Sequence, residues 1–138
     1  MLRGTRMEPE ARQAYIDLTG IEVTPACVIH ETYPWMRASL DGLSRDEKTA
    51  VEIKCVNKDD HRSAVEGLVP TKYWPQVQHQ LLVTGLPRLH YWSFSTSTTF
   101  ISENRKALVV VKADADYMSY LLEGEQKFWD DFLERTKK

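Results

Sequence analysis

Val51-Glu52-Ile53-Lys54 alternates apolar and charged side chains one by one, and only an extended strand turns a period of two into two distinct faces. Glu52 and Lys54 then share a face, roughly 6.6 Å apart over two strand steps, while Ile53 points the other way into a core. Upstream, Ser39-Leu40-Asp41-Gly42 supplies a second carboxylate. Asp-Gly is turn chemistry, and the polar run Ser44, Arg45, Asp46, Glu47 and Lys48 reads as the linker after that turn. An antiparallel return would bring residues 49–55 back alongside residues 36–40. Two carboxylates can hold a hard cation such as Mg²⁺, which takes oxygen ligands. A lysine beside them can orient a water and offset charge on phosphorus oxygens. That is minimal equipment for cutting a phosphodiester. The wet face of an ordinary strand also carries Glu and Lys, so the residues alone leave both readings open.

The chain has 138 residues, enough for one domain with a real core and too few for two. A net charge of −2 gives no overall attraction to nucleic acid, so any DNA surface must be local. Cys27 and Cys55 form no C-x-x-C pair and have no histidine at ligand spacing, which argues against zinc. Each is expected to be a buried, reduced thiol. No apolar run reaches membrane-spanning length and no signal-peptide core opens the chain, so the expected setting is intracellular, without a membrane.

Met7, Ala11, Ala14, Tyr15 and Leu18 recur at helical spacing before Gly20, with Pro9 expected in the first turn. Residues 21–30, 36–40 and 50–55 read as strands. Residues 57–70 read as a loop or a short helix around residues 63–66. Thr71 is expected to cap a helix that carries Pro75 in its first turn, runs to Thr84 and stops at Gly85 and Pro87. Residues 89–95 and 107–113 are further strands. In the closing helix, Tyr117, Leu121, Phe128 and Phe132 share a stripe read as core with Trp92 and Trp129, and Lys137 and Lys138 suit its C-terminal end. The sum is an α/β fold with a mixed central β-sheet flanked by helices.

A second constellation is Tyr73-Trp74-Pro75-Gln76-Val77-Gln78-His79-Gln80. Tyr73, Gln76, Val77 and Gln80 lie on one helical face. Gln76 can face a phosphate or a metal-bound water, or the glutamines can form a solvated face over Val77 and Leu81. Elsewhere, His61 and Arg62, with Lys58, follow the Lys54 strand and can either touch a phosphate or lie in a solvated loop. Trp35 and Tyr33 can stack near a DNA end or serve as core or rim.

Four pieces occur in order: G-x-x-x-E-x-x-A-R-x-x-Y over residues 4–15, P-W-x-x-A-S-x-D-G over 34–42, V-E-I-K-C over 51–55, and Y-x-x-Q-V-Q-H-Q over 73–80. Together they resemble the lambda exonuclease family, or YqaJ-type viral recombinase nucleases, within the PD-(D/E)XK superfamily. The resemblance implies a restriction-endonuclease-like nuclease core. It implies metal ligation by Asp41, Glu52 and the carbonyl of Ile53, with Glu8 as a further acid. Locally, Glu8 also reads as an exposed partner of Arg12. Lys54 matches the lysine that positions the nucleophilic water, and Gln76 matches the glutamine of the Q-x-Q helix, accompanied by Tyr73. Gln78 fits the pattern but points equally toward packing. Tyr73, His61, Arg62 and Trp35 are the candidate DNA contacts.

Members of that family degrade one strand of duplex DNA from the 5′ end with Mg²⁺ or Mn²⁺ and pass the 3′ overhang to a single-strand annealing protein. Several are homo-trimeric rings. The resemblance therefore implies a 5′-to-3′ exonuclease acting on double-stranded DNA ends, a phage or prophage protein in the bacterial cytoplasm. Leu40 replaces the familiar proline before the aspartate. The chain starts at the first-helix motif, so the expectation is a single nuclease domain over 1–138 without the family's N-terminal segment. Two alternatives stand beside this: an endonuclease on the same core, and an inactive DNA-binding recombination module. Relatives with an iron–sulfur cluster on four cysteines are excluded by the cysteine count.

Overall fold

Helix α1 (Leu2–Thr19) leads into β1 (Val23–Ile29), β2 (Arg37–Ser44) and β3 (Ala50–Lys54). Then come α2 (Lys58–Val65), a 3₁₀ turn (Thr71–Tyr73), α3 (Trp74–Thr84), β4 (Arg88–Phe94), a second 3₁₀ turn (Ser102–Arg105), β5 (Lys106–Lys112) and α4 (Ala115–Thr136). This is a computed structural model that describes residues 2–136; Lys137 and Lys138, expected to favour the last helix end, lie outside them. The strands form one sheet in the order β1-β2-β3-β4-β5. Neighbours are antiparallel except β3 and β4, which run parallel. A parallel pair needs a long crossover, and α2 with α3 supplies it. The expected α/β architecture, a mixed sheet between helices, is the one that forms.

The alternation on β3 divides the core. Val51 and Ile53 face α1, in a cluster with Ala11, Tyr15, Val23, Trp92 and Phe94. The opposite face carries Ala50, Leu40, Leu89 and Tyr91 against Ala64 of α2 and Val77 and Leu81 of α3. Glu52 and Lys54 lie on that second face, where their partners are side chains of α3.

The Asp41-Gly42 pair does not turn the chain. Strand β2 runs on to Ser44, and the reversal is made at Arg45-Asp46-Glu47. There Asp46 accepts from the Ser44 hydroxyl and the Lys48 N–H, and Glu47 adopts φ +60°. Gly42 instead serves close packing: a Cβ there would sit 2.8 Å from Val23 Cγ2 and 3.4 Å from Val51 Cβ. Asp41 and Gly42 also form a bulge. Thr24 pairs with Leu43 but Ala26 pairs with Leu40, so both residues oppose Pro25 alone. Pro25 has no N–H for the ladder, which suits an edge strand, and the extra residue on β2 re-aims the side chain of Asp41.

Other expectations also change. Pro9 lies inside α1, because the helix extends back to Leu2; it removes one interior hydrogen bond. Leu18 turns to solvent. Thr71 caps nothing: the Tyr73 N–H bonds the Pro70 carbonyl, and the 3₁₀ turn leads into an α3 that starts at Trp74. Pro75 does sit in the first turn, and Gly85 ends the helix at φ +72°. Residues 58–65 form a full helix, because the Asn57 side chain accepts from the Asp60 N–H. Cys27 is exposed on the edge strand and Cys55 is half-buried. Trp92 is core, but α4 fully buries no residue, and Phe128 is 73% exposed. Since α3 already covers the sheet, α4 packs only on its flank, where Leu121 meets the Met36 cluster and Trp129 stacks on Trp35 at 5.7 Å.

Candidate active site

Among the described residues the β2–β3 ladder pairs only Gly42 with Val51 and Leu43 with Ala50. One step further along, where Asp41 and Glu52 stand, a side chain takes over: Asp41 Oδ2 accepts from the Ile53 N–H at 2.8 Å. The bulge makes this substitution possible. It opens the strand pair at one end and leaves the Asp41 carboxylate inside the gap.

Three carboxylates converge there from three elements: Asp41 of β2, Glu52 of β3 and Glu8 of α1 lie close enough for each to shift the titration of its neighbour. Arg12 ties α1 to the site, donating through Nη2 to Glu8 Oε1 at 3.1 Å and through Nε to the Asp41 carbonyl at 3.0 Å. The Glu8–Arg12 pair is therefore more than a helix-surface ion pair. Glu52 is only 3% exposed, and Gln80 Nε2 donates to its Oε2 at 3.3 Å and to the Ser39 carbonyl at 3.1 Å.

Burial dominates the electrostatics. Desolvation, and then the hydrogen bond and negative charge of Asp41, push Glu52 up to about 9. Glu8 is raised for the same reasons, with Arg12 opposing. Burial also works to raise Asp41, but the hydrogen bonds from Glu52, the Ile53 N–H and Glu8, with the Lys54 charge, outweigh it and lower it. The two shifts run in opposite directions, Asp41 toward the charged form and Glu52 toward the protonated one, as expected when two carboxylates share a buried site.

Lys54 projects beside Glu52. Its Nζ donates to Gln76 Oε1 at 3.0 Å and lies 4.2 Å from the centroid of the Tyr73 ring. The fold thus brings Glu8, Asp41, Glu52, Ile53, Lys54, Gln76 and Tyr73 together. It separates the rest. His61, a candidate DNA contact, is fully buried between the Ser93 hydroxyl and the Asn104 carbonyl, each 2.7 Å away, and its ring packs on Phe100. It has no surface to offer a phosphate. Arg62 is at the surface beside Asp59. Trp35 stacks on Trp129 and packs at a tilt against Tyr33. Gln78 is buried as a sheet contact, donating to the Lys112 carbonyl and accepting from the Asp114 N–H.

Gln80 and Arg12 touch the carboxylates without having been assigned a part in the site. The signals were the i+4 spacing of Gln80 from Gln76 and of Arg12 from Glu8.

The donor set suits a hard divalent cation: it is all oxygen and clustered, and Gln80 Oε1 is buried with no hydrogen-bond partner. Among the described residues no three His, Cys, Asp or Glu side chains stand ready at metal-ligand spacing. Asp41 is engaged by the Ile53 N–H and Glu52 by the Gln80 amide.

The family description YqaJ-like viral recombinase domain matches residues 1–87, which contain all of these side chains. The chain is similar to the alkaline exonuclease LHK-Exo from Laribacter hongkongensis, with 27% identity over 99% of this chain and 73% of that one, at a TM-score of 0.74. Against the same enzyme in complex with dAMP the identity is 29%, over 99% and 72%, with a TM-score of 0.75. A phage-related exonuclease from Haemophilus somnus 129PT shares the fold at 15% identity, over 96% and 71%, with a TM-score of 0.61. No curated protein matches the chain. No described helix is long and apolar enough to cross a membrane.

Proposed function

Because the chain belongs to the YqaJ-like viral recombinase domain family, we propose that it is a metal-dependent deoxyribonuclease, a 5′-to-3′ exonuclease acting on ends of linear double-stranded DNA in phage-type recombination. The observation that supports this reading is the meeting of three carboxylates at the opened end of the β2–β3 ladder, with the Lys54 ammonium on the same face as Glu52. A relative that is an exonuclease and was captured with dAMP supports a DNA substrate.

In this reading Asp41, Glu52, the Ile53 carbonyl and Glu8 would hold Mg²⁺ or Mn²⁺, which would supply Lewis-acid stabilisation of charge on the phosphate and the leaving oxygen. Lys54 orients the attacking water and offsets negative charge that grows on the phosphorus oxygens. Gln76 fixes the Lys54 ammonium. Arg12 keeps Glu8 and the Asp41 backbone in register, and Gln80 orients Glu52. A cation held there would need the Glu52 carboxylate charged, so its binding would be coupled to proton release. Arg62 and Trp35 remain surface candidates for DNA. A single-strand annealing protein and a homo-trimeric ring are the partners that fit the family.

Digestion of a linear duplex with one labelled 5′-phosphate end, beside a covalently closed circle of the same sequence, tests the reading. Metal-dependent release of nucleotides from the labelled end, with the circle intact and a chelator stopping the reaction, is expected. Cutting of the circle would make it an endonuclease. Metal binding without any cutting would make it a recombination module.

A further inference from the structure

We propose that the Thr71–Tyr73 turn positions the Lys54 ammonium, with the ring face of Tyr73 as the contact and the Asp60–Lys72 ion pair as its anchor. This rests on the role given to Lys54 above. The ammonium is held from two sides, by the Tyr73 ring at 4.2 Å and by Gln76 Oε1 at 3.0 Å. Both present negative electrostatic potential, one from a π face and one from an amide dipole. Neither carries a full charge, so the lysine is oriented without being neutralised. A carboxylate in either place would hold it as firmly and cancel the charge the reaction needs.

A flexible lysine can only be positioned by something that is itself fixed, and the turn is fixed from behind. Lys72 Nζ lies 2.7 Å from Asp60 Oδ2. Asp60 belongs to the first turn of α2, where its N–H bonds the capping Asn57 side chain at 2.9 Å. The chain therefore closes a circuit. It leaves Lys54, caps α2 at Asn57, reaches Asp60, crosses to Lys72, and returns with Tyr73 over Lys54. The Tyr73 ring is also 6.4 Å from that of Tyr91, a buried residue that pairs with Glu52 in the sheet. Lys72 Nζ sits 5.2 Å from the same ring, but its charge is matched by Asp60. With Lys54 on its face, that side of the ring is not free to stack on a base, which separates this role from a DNA contact.

Tyr73→Phe keeps the ring face, Tyr73→Leu removes it, and Asp60→Asn loosens the anchor while leaving the ring in place. With ¹³C-labelled lysine, the methylene beside the Lys54 ammonium, assigned by its loss in Lys54→Ala, is expected upfield of the other lysines. That ring-current shift should persist in Tyr73→Phe, collapse in Tyr73→Leu and shrink in Asp60→Asn. On linear duplex, Tyr73→Leu should lower kcat about tenfold with KM little changed, and Tyr73→Phe should rescue it. Asp60→Asn should show a smaller fall of the same kind. Absence of the shift in the wild type overturns the contact, whether or not the protein cuts DNA. A shift that vanishes in Tyr73→Leu with kcat intact overturns the positioning role, and a raised KM with kcat intact makes Tyr73 a DNA contact instead. If the wild type cuts nothing, the nuclease reading and this role fail together, while the shift still decides whether the ring holds the lysine.

Discussion

Burial against another acid pushes the Glu52 carboxyl up to about 9, which favours its protonated form at neutral pH. The folded, metal-free protein keeps this proton from the unfolded value of 4.5 up to about 9, while the unfolded chain has already lost it. The unfolded state thus binds fewer protons in that window, and stability falls as pH rises through it, by at most about 1.4 kcal/mol per pH unit. Asp41, whose value is lowered, acts the other way, and only below its ordinary range near 3.8. Thermal melts of the chelated protein should show a falling Tm between about pH 5 and pH 9, and Glu52→Gln should flatten that slope. An unchanged slope in the variant would place the titrating group elsewhere. Gln80→Ala, which strips donors from Glu52 and from the Ser39 carbonyl, should cost about 1–3 kcal/mol in urea unfolding. At this scale the sequence was half legible. Glu52 and Lys54 on one face and Ile53 on the other follow from strand geometry alone. The burial of His61 does not, because Ser93, Phe100 and Asn104 enclose it from across 32 to 43 residues of chain.

Strand β2 is the element that makes the site. A regular antiparallel partner would spend the Ile53 N–H on the backbone of β2; the bulge gives that N–H to the Asp41 carboxylate instead. Gly42 lets this happen by leaving room for Val23 and Val51. Gly42→Ala should therefore destabilise the protein by about 1–3 kcal/mol through overpacking, read as a lower midpoint in urea, and should also weaken cleavage by shifting Asp41. A neutral Gly42→Ala would contradict the packing argument. Locally Asp-Gly spells a turn, and nothing within a few residues reveals that two distant valines crowd the site. The same limit explains α4. Its stripe has the right period, but period cannot show that α3 has already covered the sheet. Helix α3 and strands β1, β3, β4 and β5 were legible because their patterns agree with their surroundings.

For the molecule as a whole, α1 covers one face of the sheet and α2 and α3 the other, with α4 on the flank of α3, so the gap between β2 and β3 is reached from both layers. Glu8 comes from one side, and Gln76 and Gln80 from the other. A cation bound there would join both layers and should stabilise the fold by mass action. Mn²⁺ at about a hundred times its Kd should add about 2.7 kcal/mol, seen as a higher Tm that disappears with chelator and is absent in Asp41→Asn. With a net charge of −2, attraction to DNA has to be focused at such a site. In the proposed reaction Lys54 carries the role that a single substitution can remove. Wild type and Lys54→Ala should be compared by Mn²⁺ titration calorimetry and by digestion of the same 5′-labelled linear duplex. Equal metal binding, with cutting reduced at least about 100-fold in Lys54→Ala, is the predicted result; cutting at the wild-type rate would contradict it.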